Sequence, residues 1–331
     1  MRTRSNGCAT LLQRSEAIPQ IRYSVVIPVY GNEATLPDVV ERLASVAVEL
    51  DGAMEAVFVV DGSPDDSLAV LRKILPAASI ASQLVVHSRN FGSFPAIRTG
   101  LDAARGEFIG VMAADLQEPP ELMKEFFAQL AGNEYDVVVG RRQSRLDPAV
   151  SSVFSRTFWG LYRRFINRDI PQGGVDVFAC TREVAARLLE LDEAHSSLVG
   201  LLYWVGYRRT EVPYERLIRM HGKSGWTFTK KFKYLLDSVF SFTDIPIRML
   251  TGVGVVGSLS TVAIGLVVLL SWSTGRIDEV GYTPLMLTML FTTFLILAGL
   301  GVVGSYVWRG YENSKGRPLS LSMSREMFDG T

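Results

Sequence analysis

No feature limits how this chain can fold more than two stretches without a charged side chain, residues 251–272 and 285–307. Each is longer than the ~20 residues that carry an α-helix across a ~30 Å hydrocarbon layer. A buried core helix is the alternative for either run alone. Two such runs joined by a short polar segment, 273–283, read as a transmembrane hairpin. Flanking charge orients it. Lys230, Lys231, Lys233 and Arg248 precede the first run, and Arg309, Lys315 and Arg317 follow the second. The connecting segment sets Arg276 against Asp278 and Glu279. Both long ends are therefore expected on the cytoplasmic side. Residues 1–21 hold no apolar run of the signal-peptide kind and are expected to form an N-terminal extension.

Both runs also spell GxGxxG, as Gly252, Gly254, Gly257 and as Gly299, Gly301, Gly304. The dinucleotide fingerprint needs a strand before it and a helix opening after it, and neither is present here. Small residues at four-residue spacing, Gly257/Thr261/Gly265 and Gly301/Ser305, suit close helix packing within or between subunits. Composition closes off further classes. The 34 basic and 34 acidic side chains cancel, which argues against a general nucleic-acid binder. Cys8 and Cys180 cannot build a disulfide framework, and His87, His195 and His221 are too scattered to suggest a zinc site.

The first 245 residues alternate short apolar runs with amphipathic ones. Strands are expected at 23–30, 56–60, 84–87, 108–112 and 137–139, with helices at 34–50, 67–75, 94–104 and 119–130. In the first helix Leu36, Val39, Val40, Leu43, Val46 and Ala47 recur at helical spacing. Such alternation implies βαβ units and a mostly parallel sheet, with ligands beyond the carboxyl ends of the strands. The residues there are acceptors, glycines and paired arginines: Asp61-Gly62-Ser63, Arg89-Asn90-Phe91-Gly92, Asp115-Leu116-Gln117 and Arg141-Arg142. Any one is also ordinary turn or cap chemistry. Their recurrence after successive strands suits a ligand with a hydrogen-bonding base, a sugar and a diphosphate.

In this order, Val-Val-Ile-Pro-Val-Tyr at 25–30, Asp-Gly-Ser-x-Asp-Asp-Ser at 61–67, Arg-Asn-Phe-Gly at 89–92 and Ala-Asp-Leu-Gln-x-Pro-Pro-Glu at 114–121 resemble the family 2 glycosyltransferases. With the two apolar runs, the chain is similar to the polyisoprenyl-phosphate branch, which includes dolichyl-phosphate mannose synthase and GtrB-like enzymes. The resemblance implies an α/β, GT-A (Rossmann-like) domain over 22–225 and a juxtamembrane amphipathic helix over 226–247. Two transmembrane helices within 248–308 and a cytoplasmic tail over 309–331 follow. It implies an inverting transfer of sugar from a UDP- or GDP-sugar to a polyisoprenyl phosphate, undecaprenyl phosphate in a bacterium, at the plasma membrane. Membrane lipids and further copies of the chain, in a homo-oligomer such as a tetramer, are the implied partners, and nucleic acid is not among them.

Residue by residue, the resemblance assigns the nucleotide to Pro28, Tyr30, Glu33, Asp61, Asn90 and Asp115, with Asp61 accepting from a base N–H. It assigns a divalent ion, Mg²⁺ or Mn²⁺, to Asp115 and Gln117. Ala113 and Val60 depart from the family pattern, each standing where an acid is usual. Asp176 matches the proposed catalytic base, although Val177 and Phe178 replace the usual Phe-Arg. Asp176, Asp115 and Arg141 form the expected catalytic set. Arg141, Arg142, Arg163, Arg219 and Lys223 are expected at the acceptor phosphate. Charge is distributed accordingly: 141–168 holds seven arginines against one aspartate, and 205–250 holds nine basic against four acidic residues. A solvated basic face is the bland reading of these clusters. The rival from another class is a catalytically impaired paralogue acting as a membrane scaffold.

Overall fold

The computed structural model describes residues 20–143, 160, 170–171, 175–193, 196–217, 236–243, 245–274 and 282–330. Its centre is an eight-stranded sheet. The strands are β1 (Tyr23–Val29), β2 (Met54–Val60), β3 (Ala81–His87), β4 (Phe108–Val111), β5 (Val137–Arg142), β6 (Phe178–Thr181), β7 (Arg209–Tyr214) and β8 (Ser322–Phe328). They lie in the order β7-β5-β6-β4-β1-β2-β3-β8. β1, β2, β3 and β4 pair in parallel, as do β5 and β7, while β6 and β8 run against their neighbours. The sheet is therefore mixed and mostly parallel, as the alternating pattern predicts. β2 is buried at every position, which its unbroken apolar run requires of a strand covered on both faces.

Helices cover both faces. α1 (Leu36–Glu49), α2 (Ser67–Ile74) and α4 (Leu122–Ala131) close one core with Ile27, Phe58 and Leu84. α3 (Ser93–Ala103), α5 (Arg182–Glu190) and α6 (Leu198–Trp204) close the other with Val26, Val59 and Ile109. α1 buries Leu36, Val39, Val40, Leu43, Val46 and Ala47, the face its helical spacing predicts.

Beyond this domain come α7 (Leu236–Phe242), α8 (Ile245–Ser273) and α9 (Tyr282–Ser314). A β-carbon at Gly200 would come within 2.4 Å of the Phe242 ring, so glycine is what lets α7 seat this closely on α6. Arg309 of α9 pairs with Asp237 of α7 at 2.7 Å and lies 5.1 Å over the Phe240 ring. At 29 and 33 residues, α8 and α9 run ~44 and ~50 Å. Phe291–Ser314 is long and apolar enough to cross a membrane and has no buried share. Leu236–Phe242 and Ile245–Gly257, bent 80° to each other, meet that test only as a pair. Both GxGxxG strings lie inside α8 and α9, away from the sheet.

Two elements differ from expectation. Residues 322–328, expected in a cytoplasmic tail, form edge strand β8, antiparallel to β3. β5 does not end at Val139 but continues through Arg142. Because successive strand side chains face opposite ways, Arg141 and Arg142 fall on different faces of the sheet.

Candidate functional site

The loops that leave β1, β2 and β3 are tied together by their own short polar side chains. Gly31 N donates to Ser63 Oγ at 2.8 Å, Glu33 N to Asp65 Oδ2 at 3.0 Å, and Asp66 N to Glu33 Oε2 at 2.9 Å. Burial raises the Asp65 carboxyl, but hydrogen bonds to it from Ser63 Oγ, from Ser67 and from Glu33 N hold it below its ordinary range. Gly62 has φ +56°, and a β-carbon there would enter the backbone of Arg89 and Asn90. The Asp-Gly-Ser turn thus rests directly on the loop after β3. Asp61, buried at the end of β2, receives Phe91 N at 2.8 Å, Gly92 N at 2.7 Å and His87 Nδ1 at 2.8 Å. Its carboxylate is engaged in building the wall of the crevice, a different task from the expected contact with a base. Asn90 Nδ2 donates to Asp61 O at 3.2 Å, Tyr30 is half exposed, and Pro28 lies within β1 beside them.

A second set of charges gathers one strand over. Past β4, Leu116 takes φ +56°, in the left-handed region that a branched side chain seldom adopts. Asp115 Oδ1 accepts from Gln117 N across this turn at 3.2 Å. The next residue, Glu118, is only 1% exposed, and neither carboxylate oxygen has a hydrogen-bond partner among the described residues. Arg216 Nε stands 3.6 Å from Glu118 Oε1, an ion pair longer than a hydrogen bond, while Arg216 Nη2 donates to Gln117 Oε1 at 2.6 Å. Burial, with the charges of Asp176 and Asp115, pushes the Glu118 carboxyl up to about 8, against the pull of Arg216 and Arg142.

Asp176 sits just before β6. That strand runs antiparallel, so Asp176 meets the sheet at the same edge as the ends of β5 and β7. Arg142 Nη2 donates to Asp176 Oδ2, and the Tyr214 hydroxyl lies 3.4 Å from that oxygen. Burial opposes charge on Arg142, but Asp176 and Tyr214 hold its guanidinium pKa above the ordinary value. Burial, Asp176 and Glu118 push the Tyr214 phenol up in turn.

The structure therefore brings together Asp115, Gln117, Asp176 and Arg142 from the expected residues. It sets Arg141 apart, paired with Glu211 at 3.0 Å. Arg163, Arg219, Lys223 and the first part of the expected juxtamembrane helix lie outside the described residues. Glu118, Tyr214 and Arg216 were not expected. The one signal for Glu118 is an acid wedged between Gln117 and the Pro119-Pro120 pair, a position that reads equally well as a helix start.

Among the described residues no three His, Cys, Asp or Glu side chains converge closely enough to cage a metal by themselves. A divalent ion that keeps substrate phosphates and water as ligands needs only one or two carboxylates. The residues fit such an ion. Asp115 and Asp176 lie beside Glu118, whose oxygens are buried without a hydrogen-bond donor among the described residues.

Comparison with known proteins extends beyond the sheet. The family model described as glycosyl transferase family 2 matches residues 24–189. An uncharacterised glycosyltransferase of Synechocystis is 34% identical over 91% of this chain and 94% of its own length. The undecaprenyl-phosphate 4-deoxy-4-formamido-L-arabinose transferase of Sodalis glossinidius is 29% identical over 90% of this chain and 91% of its own. The bactoprenol glucosyl transferase of Shigella phage SfX is 27% identical over 92% of this chain and 100% of its own.

Proposed function

The chain belongs to glycosyl transferase family 2, and on that premise we propose that it moves a sugar from a nucleotide-diphosphate sugar to a polyisoprenyl phosphate at a membrane. The observation that carries this reading is the charge cluster at the carboxyl edge of the sheet, Asp115, Glu118, Asp176, Arg142 and Arg216. It offers two guanidiniums to phosphate and, to a cation, a buried carboxyl whose oxygens have no hydrogen-bond donor among the described residues. The acceptors in the names of the Sodalis and phage relatives support the lipid class. The scaffold alternative rests on Ala113 and Val60 alone, and the cluster is otherwise complete.

In the proposed reaction an oxygen of the lipid phosphate attacks the anomeric carbon as the bond from that carbon to the diphosphate oxygen breaks, with inversion. The nucleophile is already anionic at neutral pH, so no proton has to be removed. Asp176 then acts by fixing the fork of Arg142, with Tyr214 on its other side. Arg142 and Arg216 face the negative charge that gathers on the phosphates, where planar bidentate donors serve better than lysine. A divalent ion, held by Asp115 with Glu118 facing it, would neutralise the departing diphosphate. Tyr30, Glu33 and Asn90 would meet the nucleoside on the wall that Asp61 builds.

The path of the chain supports two crossings by α8 and α9. β8 returns to the same sheet that the chain left before α7, which supports an even number of crossings. The catalytic domain and both ends then share the cytoplasmic face of the plasma membrane. The small residues Gly301 and Ser305 on α9 support association between copies. The test is transfer itself. Membranes carrying the chain, given labelled UDP- and GDP-sugars with undecaprenyl phosphate and Mg²⁺ or Mn²⁺, are expected to yield a labelled lipid. A complete panel of donors without product would overturn the reading.

A further inference from the structure

His87 ends β3 and is buried, yet its ring has no part in the reaction above. Its Nδ1 meets Asp61 Oδ1 at 2.8 Å and its Nε2 meets Thr99 Oγ1 of α3 at 2.9 Å. Thr99 Oγ1 in turn meets Ser320 Oγ at 2.8 Å. Asp61 already takes two backbone N–H groups, which marks it as the acceptor and puts the ring proton on Nδ1. With that tautomer Nε2 accepts from Thr99 Oγ1, whose hydroxyl is also within reach of Pro95 O at 3.1 Å, and Thr99 Oγ1 accepts from Ser320. The His87 ring also stands edge-on to Phe91 at 5.5 Å, and the Arg89 guanidinium lies 4.0 Å over the Phe91 ring. One buried ring therefore holds the loop after β3 through Asp61 and through Phe91.

Ser320 belongs to the segment that comes back from α9. It immediately precedes Leu321, whose carbonyl accepts from Ser88 N at 2.9 Å, and β8 begins one residue later. β8 is fastened along its length. Arg325 donates to Gln83 Oε1 at 2.6 Å and to Ala103 O at 3.1 Å, and Arg72 pairs with Glu326 at 2.6 Å. The β3–β8 register slips between Val86 and His87, at the residue that carries the ring. An unbroken hydrogen-bonded path thus runs from the segment after the apolar helices, across β3 and α3, to the backbone of Phe91 and Gly92.

We propose that Ser320 is a positioning residue for the nucleotide end of the site: docked with β8, it fixes Thr99, His87 and Asp61, and through them the loop at 89–92. The proposal rests on the reading that this loop lines the nucleotide. It makes donor affinity, and not the chemical step, depend on the chain segment that leaves the membrane helices.

The test uses the full chain in detergent, titrated with UDP and with GDP in the presence of Mg²⁺. Ser320→Ala is expected to weaken the bound nucleotide about threefold to tenfold, the net effect of one hydrogen bond. KM for the nucleotide sugar should rise alike, with kcat held within about twofold. Ser320→Thr, which keeps the hydroxyl, should restore affinity. Unchanged affinity in Ser320→Ala, a loss confined to kcat, or failure of the threonine variant would each overturn the proposal. If neither nucleotide binds the unsubstituted chain, the nucleotide reading itself fails, and hydrogen exchange decides the relay. Faster exchange at Phe91 and Gly92 in Ser320→Ala would sustain it, and unchanged exchange would overturn it.

Discussion

Two buried glutamates mark the two ends of the sheet and have opposite surroundings. Glu55, near the start of β2, receives Ser24 Oγ at 2.7 Å, Gln83 Nε2 at 2.9 Å, and both N and Nε of Arg105 at 2.7 Å. Glu118, past β4, has no hydrogen-bond donor on either oxygen among the described residues, and Asp176 and Asp115 stand beside it with Arg216 and Arg142. A saturated buried charge ties strands and loops into one body; an unsaturated one is stability forgone where a ligand is to be met. The first end holds the fold, and the second is where the proposed reaction takes place.

That contrast breaks or sharpens first at Glu55. Glu55→Ala leaves Ser24, Gln83 and both Arg105 donors without their acceptor, and should cost about 3–5 kcal/mol in denaturant unfolding. Sugar transfer per folded molecule should stay within about twofold. At the opposite end, Asp115→Asn should lower transfer about 10²- to 10³-fold, the size of one lost charge-stabilising group. Its unfolding midpoint should move by little. Were the two variants to trade these outcomes, the division of the sheet into a structural and a chemical end would be wrong.

The sequence made the sheet legible because burial on both faces leaves apolar runs, and the α1 face because helical spacing leaves its own mark. Edge strand β8 was not legible. Ser-Met-Ser-Arg-Glu-Met-Phe has no buried run, and its partner β3 lies more than 230 residues earlier. Asp61 stood out as a site residue, but its task did not, since its donors at Phe91 and Gly92 are backbone N–H groups that every sequence has. The arginine pair was found and its geometry misjudged, because a strand extended by three residues decides which face each side chain takes.

That pleat supplies a smaller test within the chemical end. Arg142 reaches Asp176 and Arg141 reaches Glu211. Arg142→Lys loses the guanidinium fork and should lower transfer about tenfold to a hundredfold, one charge-assisted hydrogen bond. Arg141→Lys keeps its surface ion pair with Glu211 and should change the rate by no more than about twofold. Equal losses would place both side chains in the crevice and contradict the observed strand.

The smallest effect carries the contrast into stability. Burial and two acidic neighbours raise the folded pKa of Glu118 from 4.5 to about 8. Below pH 4.5 the carboxyl is protonated whether the chain is folded or not, and its contribution to stability is complete. Between pH 4.5 and 8 the unfolded chain releases a proton that the folded chain retains, so stability falls as pH rises. Above 8 the loss is full. Glu118→Gln cannot ionise, so in metal-free buffer at pH 9 its Tm should stand a few degrees above that of the unsubstituted chain, and the two should converge near pH 4. Mg²⁺ at pH 9 should narrow the gap by stabilising only the unsubstituted chain, because only there is a buried negative charge left for a cation to neutralise. A gap of the opposite sign would mean that Glu118 is as well satisfied as Glu55.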